Sequence, residues 1–410
     1  MKQRFLLIAQ PNSYRIAPYI KAAQAMGLEV IIASAGQHSL ITEVHAGIHI
    51  DLNDIAASLK TILDEAAKKP FAGILGSDDS TVELAATVAA KLGLPHNPPE
   101  AARISQRKDL ARAELSLAGA AVPLHCLIDL NKAIENQMAG LPWPCVIKPL
   151  NLSASRGVIR CNTEKEFIEA CNRVKKIIAH CSDEFDRTHI LVEDYIDGIE
   201  VAYEGYLKNG KLNTITIFDK PEPLTGPYFE ETIYVTPSQL SDDIQKNIKQ
   251  TVQQTCEIYG LKTGPVHAEL RIDKNNKSWI LEVASRTIGG DCGRTLNNDD
   301  GFNIEELTVA LAINKDYKIN KSEGCRGVMM IPIKKGGILR RVEGLSNAGN
   351  VEHIESVDII IREGSELIPL PEGNQYPGYI FARAESQQKV INALQQALSK
   401  LDFIVAPVFR

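Results

Sequence analysis

The chain has eight cysteines but no CxxC pair. Cys161, Cys171 and Cys181 stand ten residues apart, a spacing that matches no metal-ligand set, and the nine histidines are scattered. Zinc is not suggested, and the cysteines read as small buried or surface thiols of a reducing cytoplasm. Lysine and arginine form no block and the net charge is −6, so the footprint of a nucleic-acid binder is missing. No apolar run reaches membrane-spanning length, and the run within MKQRFLLIAQPNSYR is too short for a secretory leader. GxGxxG is lacking too, which disfavours a dinucleotide site. No internal repeat or low-complexity linker breaks the sequence. These absences leave a cytoplasmic enzyme or binding protein acting on small molecules.

Apolar residues make up 44% and charged residues 23%, the balance of a soluble globular protein. At 410 residues the chain is long enough for roughly two to four domains with real cores. Residues 1–97 alternate strands (Phe5–Ala9, Leu28–Ala33, Phe71–Leu75) with helices, which predicts a parallel α/β unit covered on both faces. Ser80 and Glu83 have capping-box spacing for the helix that ends at Gly93. The loops Gln10–Arg15 and Gly76–Ser80 follow strand ends, where such sheets bind ligands. Residues 98–123 read as a helical linker and 124–200 as strands around the charged helix Glu164–Ile178. Residues 201–324 read as a larger antiparallel sheet with two helices, and 325–410 as a β-rich piece closed by a helix from Gln387.

The stretch Pro265–Gly293 carries the chemistry. Two alternating runs flank the polar cluster Asp273–Lys277, which signals a hairpin. A turn centred between Asn275 and Asn276 sets Glu269 opposite Glu282. Two facing carboxylates repel, and a hard divalent cation between them relieves the repulsion. Arg286 and Gly289–Gly290 follow closely. An arginine and approachable backbone N–H groups beside a metal-bound phosphate stabilise an oxyanion.

Three further groups accompany the hairpin. The strand Cys145–Lys148 leads into Asn151–Gly157, NLSASRG, whose Ser153, Ser155 and Gly157 make a small-residue loop. A lysine before such a loop suits a polyphosphate, although a run with one glycine signals this weakly. Glu193-Asp194-Tyr195-Ile196, followed by Glu200, offers backbone groups to a purine edge, an apolar wall and carboxylates for ribose. Lys220 and Tyr228–Glu231, Glu230 among them, sit in a long Pro/Gly connection of the kind that forms functional lids. Taken singly, each group also fits a surface loop or ion pair.

Their order resembles the ATP-grasp superfamily: a lysine in a helix (Lys108), a lysine before a small-residue loop (Lys148), an acidic linker, then Glu…Glu-x-x-x-Arg. The resemblance covers about three-quarters of the chain. LGLPHNPPEAARISQRKDLAR and GVMMIPIKKGGILRRVEGL are most similar to the carboxylate–amine ligases, including L-amino acid ligases. The resemblance implies a fold of mixed α/β and α+β class: a pre-ATP-grasp domain (1–97), a linker (98–123), a small lobe closing as a lid (124–200), a large lobe with the metal site (201–324) and a C-terminal β-rich subdomain (325–410). It implies ATP with Mg²⁺ (Mn²⁺ as substitute), held by Lys108, Lys148, the Glu193–Ile196 segment, Glu200 and the metal ligands Glu269 and Glu282. Arg286 would hold the transferred phosphate. His267, Lys220, Glu230 and Arg294 are candidates for substrate contact. A carboxylate and an amine are the implied partners, and a homodimer is the default for such an enzyme. Alternatives are a ligase for a nucleotide-precursor or carrier substrate and a non-catalytic ATP-binding subunit. One departure stands out: Ala284 occupies the place of the asparagine that many ATP-grasp enzymes use as a metal ligand.

Overall fold

The computed structural model describes residues 2–35, 47–297, 301–319 and 323–408. A parallel sheet opens the chain, in the order Gly47–His49, Glu29–Ser34, Arg4–Ala9, Phe71–Gly76. Its strands are buried on both faces, which is why they read as unbroken apolar runs. Helices Ile55–Lys68 and Asp79–Leu92 cover one face. Ile16–Ala25 covers the other together with Ile304–Ala312, a helix from much later in the chain. The expected cap at Ser80 is displaced: Asp78 is the cap and Thr81 Oγ1 accepts from its N–H at 3.1 Å. The helix begins earlier because Ser77 and Ser13 donate to the Asp78 carboxylate and fix it as the turn into the helix.

A four-stranded antiparallel sheet (His125–Asp129, His189–Asp194, Cys145–Pro149, Ile159–Cys161) forms a small lobe. The helix Glu164–Ile178 packs on it through Phe167, Ala170, Cys171, Val174 and Ile178, an i, i+3, i+4 stripe.

Behind it lies an eight-stranded sheet, antiparallel throughout. Its order is Ser278–Ala284, Gly264–Ile272, Ile199–Lys208, Lys211–Asp219, Ile233–Thr236, Cys325–Met330, Gly378–Ala384, Ile354–Ile359. The last three strands belong to the stretch expected to stand as a separate C-terminal piece. They extend the central sheet because Ile233–Thr236, fully buried, would otherwise be an unpaired edge. The remaining C-terminal strands, Gly337–Glu343, Glu366–Leu367 and Asp402–Ala406, make a small sheet of their own.

Alternation along the central strands divides the sheet into a dry and a charged face. Val201 and Tyr203, with Val266, Ala268 and Leu270, pack against Ile248, Val252 and Cys256 of helix Asp242–Tyr259. The opposite positions, Glu200, Glu204, His267, Glu269, Arg271 and Glu282, line up across three strands.

Candidate functional site

The charged face floors a cavity of about 1150 Å³. Its walls are the N-terminal loops (Gln10, Tyr14, Asp78–Ser80), the small lobe, and a C-terminal segment around Ile360–Ser365 and Asn374–Tyr376. Both N-terminal loops singled out from the sequence therefore reach it.

Glu269 faces Glu282, as the hairpin predicts. The route differs from the expected one. Near the turn, Leu270 pairs with Ile280 and Ile272 with Ser278, one residue out of register; a bulge absorbs the offset, with Leu281 as the extra residue. A bulge frees backbone groups, and here Arg112 Nη2 donates to the Leu281 carbonyl at 2.8 Å. The same guanidinium donates through Nε to Glu193 Oε1 at 2.5 Å. Arg112 thus joins the carboxylate hairpin to the segment entering the linker. The sequence places it on a helix but gives no sign of this role.

Glu193 was expected beside a purine. It is buried between Arg112 and Lys148, whose Nζ is 2.5 Å from Oε2. Burial alone would raise its carboxyl, but the two cations bring it down to about 2. One carboxylate cannot neutralise both: Arg112 keeps its charge firmly, whereas burial and the nearby guanidinium lower Lys148 despite its contact with Glu193. Lys148 is the cation with charge to spare for an incoming anion. A carboxyl depressed on folding stabilises the native state above its unfolded pKa, and that stability is lost as pH falls through the folded value. The wild type is expected to lose about 3 kcal/mol from this group between pH 4.5 and 2. In Glu193→Gln that part of the acid dependence should vanish. Denaturant titrations over that window check this, and parallel stability–pH curves for the two proteins would refute it.

Asp194, Tyr195 and Ile196 line the cavity. Tyr195 stacks on Phe229 and lies between the guanidinium groups of Arg160 (4.0 Å) and Arg271 (5.0 Å). Arg271 also takes the Ile196 carbonyl at 2.8 Å. Gly198 lets this linker turn back, since a Cβ there would lie 2.1 Å from the Ile272 carbonyl oxygen. Glu200 accepts from Arg271 Nε (2.9 Å) and Lys220 Nζ (2.8 Å).

Lys220 stands among three carboxylates, Glu200, Glu231 and Glu269, whose oxygens lie within 4.8 Å of one another. Burial would lower its pKa, but the three acids raise it well above the ordinary lysine value. Burial and the neighbouring Glu269 push Glu231 up to about 7. Glu269 itself is held well below the carboxylate range: burial opposes this, but Lys220 and His267 outweigh it. His267 Nε2 lies 3.6 Å from Glu269 and Nδ1 2.5 Å from Glu204, which is fully buried. Burial would lower the imidazole, but Glu204 holds it up to about 9. Glu204 and Arg271 were not singled out in the sequence, and Glu231 stood out only as the end of the Tyr228–Glu231 stretch. Glu204 and Arg271 had a signal: polar residues at every second or fourth position in Glu200–Glu204 and His267–Arg271 mark a charged face.

The hairpin carboxylates fit a divalent cation. Both are hard oxygen donors facing one cavity, each partly open to it, and their cation contacts among the described residues are loose: Lys108 at 3.3 Å from Glu282, Lys220 and His267 at 3.5 and 3.6 Å from Glu269.

Arg286 lines the cavity and forms a two-pronged pair with Asp79 of the parallel-sheet unit, both contacts at 2.9 Å. Gly289 and Gly290 line it as well; Gly290 has φ 60°, and a Cβ would lie 2.6 Å from Met330 Sδ. Lys108 donates to the Leu152 carbonyl at 2.8 Å. Ser153 and Ser155 reach the cavity. Gly157 does not. It packs on Pro149, and its N–H goes to the Pro371 carbonyl at 2.9 Å.

Three of the four expected substrate contacts lie outside the cavity lining, Lys220 being buried among its three carboxylates. Arg294 is outside the cavity lining, paired with Asp358 at 2.6 Å and stacked over Phe381. The Glu230 carboxylate accepts from the Ile333 N–H and borders a separate small pocket. In an extended segment neighbouring side chains point opposite ways, so Glu231 takes the place expected of Glu230.

Comparison with known proteins gives this geometry a lineage. Residues 20–96 match the ATP-grasp N-terminal domain, 141–295 the ATP-grasp domain and 329–406 the L-amino acid ligase C-terminal domain 2. The chain is 25% identical over 252 residues to alanine–anticapsin ligase of Bacillus subtilis, covering 58% of this chain and 53% of that protein. It is 23% identical over 239 residues to dapdiamide A synthase of Enterobacter agglomerans, covering 57% and 54%. The match thus spans about half the length of these curated relatives. The crystal structure of an L-amino acid ligase from Bacillus licheniformis superposes with a TM-score of 0.83 at 23% identity, covering 99% of both chains. The chain belongs to the ATP-grasp superfamily and carries a C-terminal region that matches the L-amino acid ligase C-terminal domain 2. Among the described residues no helix is long and apolar enough to cross a membrane.

Proposed function

We propose that the protein uses ATP to activate the carboxylate of one amino acid and joins it to the amine of another, releasing ADP and phosphate. What supports this above all is the gathering of Glu269, Glu282, Arg286 and Gly289–Gly290 on one side of a single cavity with Lys148 and Asp194–Ile196 also in its lining. Curated relatives named as alanine–anticapsin ligase and dapdiamide A synthase favour amino acid substrates.

Lys148, under-compensated by Glu193, and Lys108 neutralise the phosphates, while the Ser153–Ser155 loop covers them. Asp194–Ile196 and Tyr195 border the base, and Glu200 faces the ribose. Glu269 and Glu282 would hold Mg²⁺ (Mn²⁺ as substitute), which supplies Lewis-acid polarisation of phosphate oxygens. A carboxylate oxygen of the first substrate bonds to the γ-phosphorus as the bond to ADP breaks, giving an acyl phosphate. The amine nitrogen of the second substrate then bonds to the acyl carbon; phosphate leaves with the C–O electron pair and the nitrogen gives up its proton. Arg286 and the N–H groups at Gly289–Gly290 stabilise the oxyanion in between. Closure of residues 124–200 over the large lobe protects the acyl phosphate from water. A cytoplasmic homodimer acting on free small molecules completes the reading.

The test is ADP release from ATP across a panel of amino acids, singly and in pairs, with mass detection of products. Release that requires a pair, together with a dipeptide mass, is the expected result. Release with single compounds or pairs that yields no condensed dipeptide mass overturns the amino acid assignment.

A further inference from the structure

Among the described residues the cavity is lined by six lysine and arginine side chains, with His267 between Glu204 and Glu269 beside them, and five of the six are already matched. Arg15 faces Asp78 at 3.8 Å, Lys108 Glu282 at 3.3 Å, Lys148 Glu193 at 2.5 Å, Arg271 Glu200 at 2.9 Å and Arg286 Asp79 at 2.9 Å. Arg362 is different. It lines the same cavity, yet no carboxylate lies within ion-pair distance of it among the described residues. Its position is set by the backbone: the Ser365 N–H closes the turn onto the Arg362 carbonyl at 3.1 Å, and Gly364 and Leu339 lock that turn to the small C-terminal sheet. Ser365, Asn374 and Gln375 line the same cavity, neutral polar groups whose side chains make no hydrogen bond to protein among the described residues. Glu363, next in sequence, is exposed and lies outside the lining. This wall therefore offers donors and one uncompensated positive charge, whereas the acids that line the cavity among the described residues sit on the central sheet, the small lobe, the N-terminal loops and at Glu231.

We propose that Arg362 binds the free carboxylate of the amine-bearing substrate, so that the acyl acceptor is an anionic amine such as an α-amino acid rather than a simple amine or amino acid amide. This rests on the ligase reading above. The first substrate's carboxylate is consumed at the phosphate beside Glu269, Glu282 and Arg286. The second substrate keeps its own through the reaction and needs a separate partner for it. A guanidinium supplies a planar two-pronged one.

The experiment compares wild type with Arg362→Gln and Arg362→Lys, using as acceptor an amino acid and its carboxamide. Wild type should prefer the free acid. Arg362→Gln should raise KM for the free acid about ten- to a hundredfold, leave KM for ATP unchanged, and abolish the preference over the carboxamide; Arg362→Lys should recover part of it. An active wild type that uses the carboxamide equally well, or an Arg362→Gln enzyme with unaltered acceptor KM, overturns the assignment alone. A wild type with no turnover for any pair overturns both it and the ligase reading.

Discussion

Arg286→Ala is expected to fold, bind ATP and turn over about a hundred- to a thousandfold more slowly. The side chain is nearly buried, and its only carboxylate partner among the described residues, Asp79, belongs to another unit of the fold. Burial opposes its charge, but Asp79 secures it, so the guanidinium stays cationic at every accessible pH. An arginine held in this way costs no reorganisation when charge develops on a phosphoryl or acyl oxygen. The loss should therefore fall on kcat, with little change in KM for ATP. Asp79→Asn separates positioning from charge: it keeps the arginine and loosens its anchor, so its effect should be smaller in the same direction. Equal damage to ATP affinity and to kcat in Arg286→Ala would instead make Arg286 a nucleotide-binding group.

Glu282→Gln should silence the enzyme while sparing its stability. The two hairpin glutamates face each other, and like charges across a ladder destabilise a sheet. Neutralising one relieves that repulsion, so the melting temperature should hold or rise. Turnover should drop about a thousandfold, since a metal clamp supplies several kcal/mol of transition-state stabilisation and each 1.36 kcal/mol is a factor of ten. Excess Mg²⁺ or Mn²⁺ should recover little of it. Turnover near the wild-type rate would remove Glu282 from the metal site, and a large fall in stability would show that the pair is structural.

Legibility followed the range of the interactions. Elements with their own periodicity, such as helix Glu164–Ile178 and the strands of the parallel sheet, could be read from sequence because local spacing determines which face is buried. The facing of Glu269 and Glu282 was legible because a hairpin is short, although the bulge at Leu281 was not. Partners across the fold left no local trace. Nothing near Arg286 announces Asp79, and nothing in the helix holding Arg112 announces Glu193 or the Leu281 carbonyl. That three strands of the C-terminal β-rich stretch join the central sheet was not legible, because pairing with a distant strand edge has no signature in the sequence. Glu230 was chosen over Glu231 because two adjacent acids cannot be told apart until the strand's facing is known.

The small lobe touches the C-terminal region at Pro371–Glu372. Glu372 takes Arg173 in a fork at 2.5 and 2.9 Å, and its carbonyl accepts from Arg156 while that of Pro371 accepts from Gly157. The fork is close to half exposed, so it contributes no more than about 1 kcal/mol. A clasp that weak costs little to part, so the closure proposed above for residues 124–200 would meet almost no resistance from it. Added salt should screen the Arg173–Glu372 pair and slacken this hold between the small lobe and the C-terminal region.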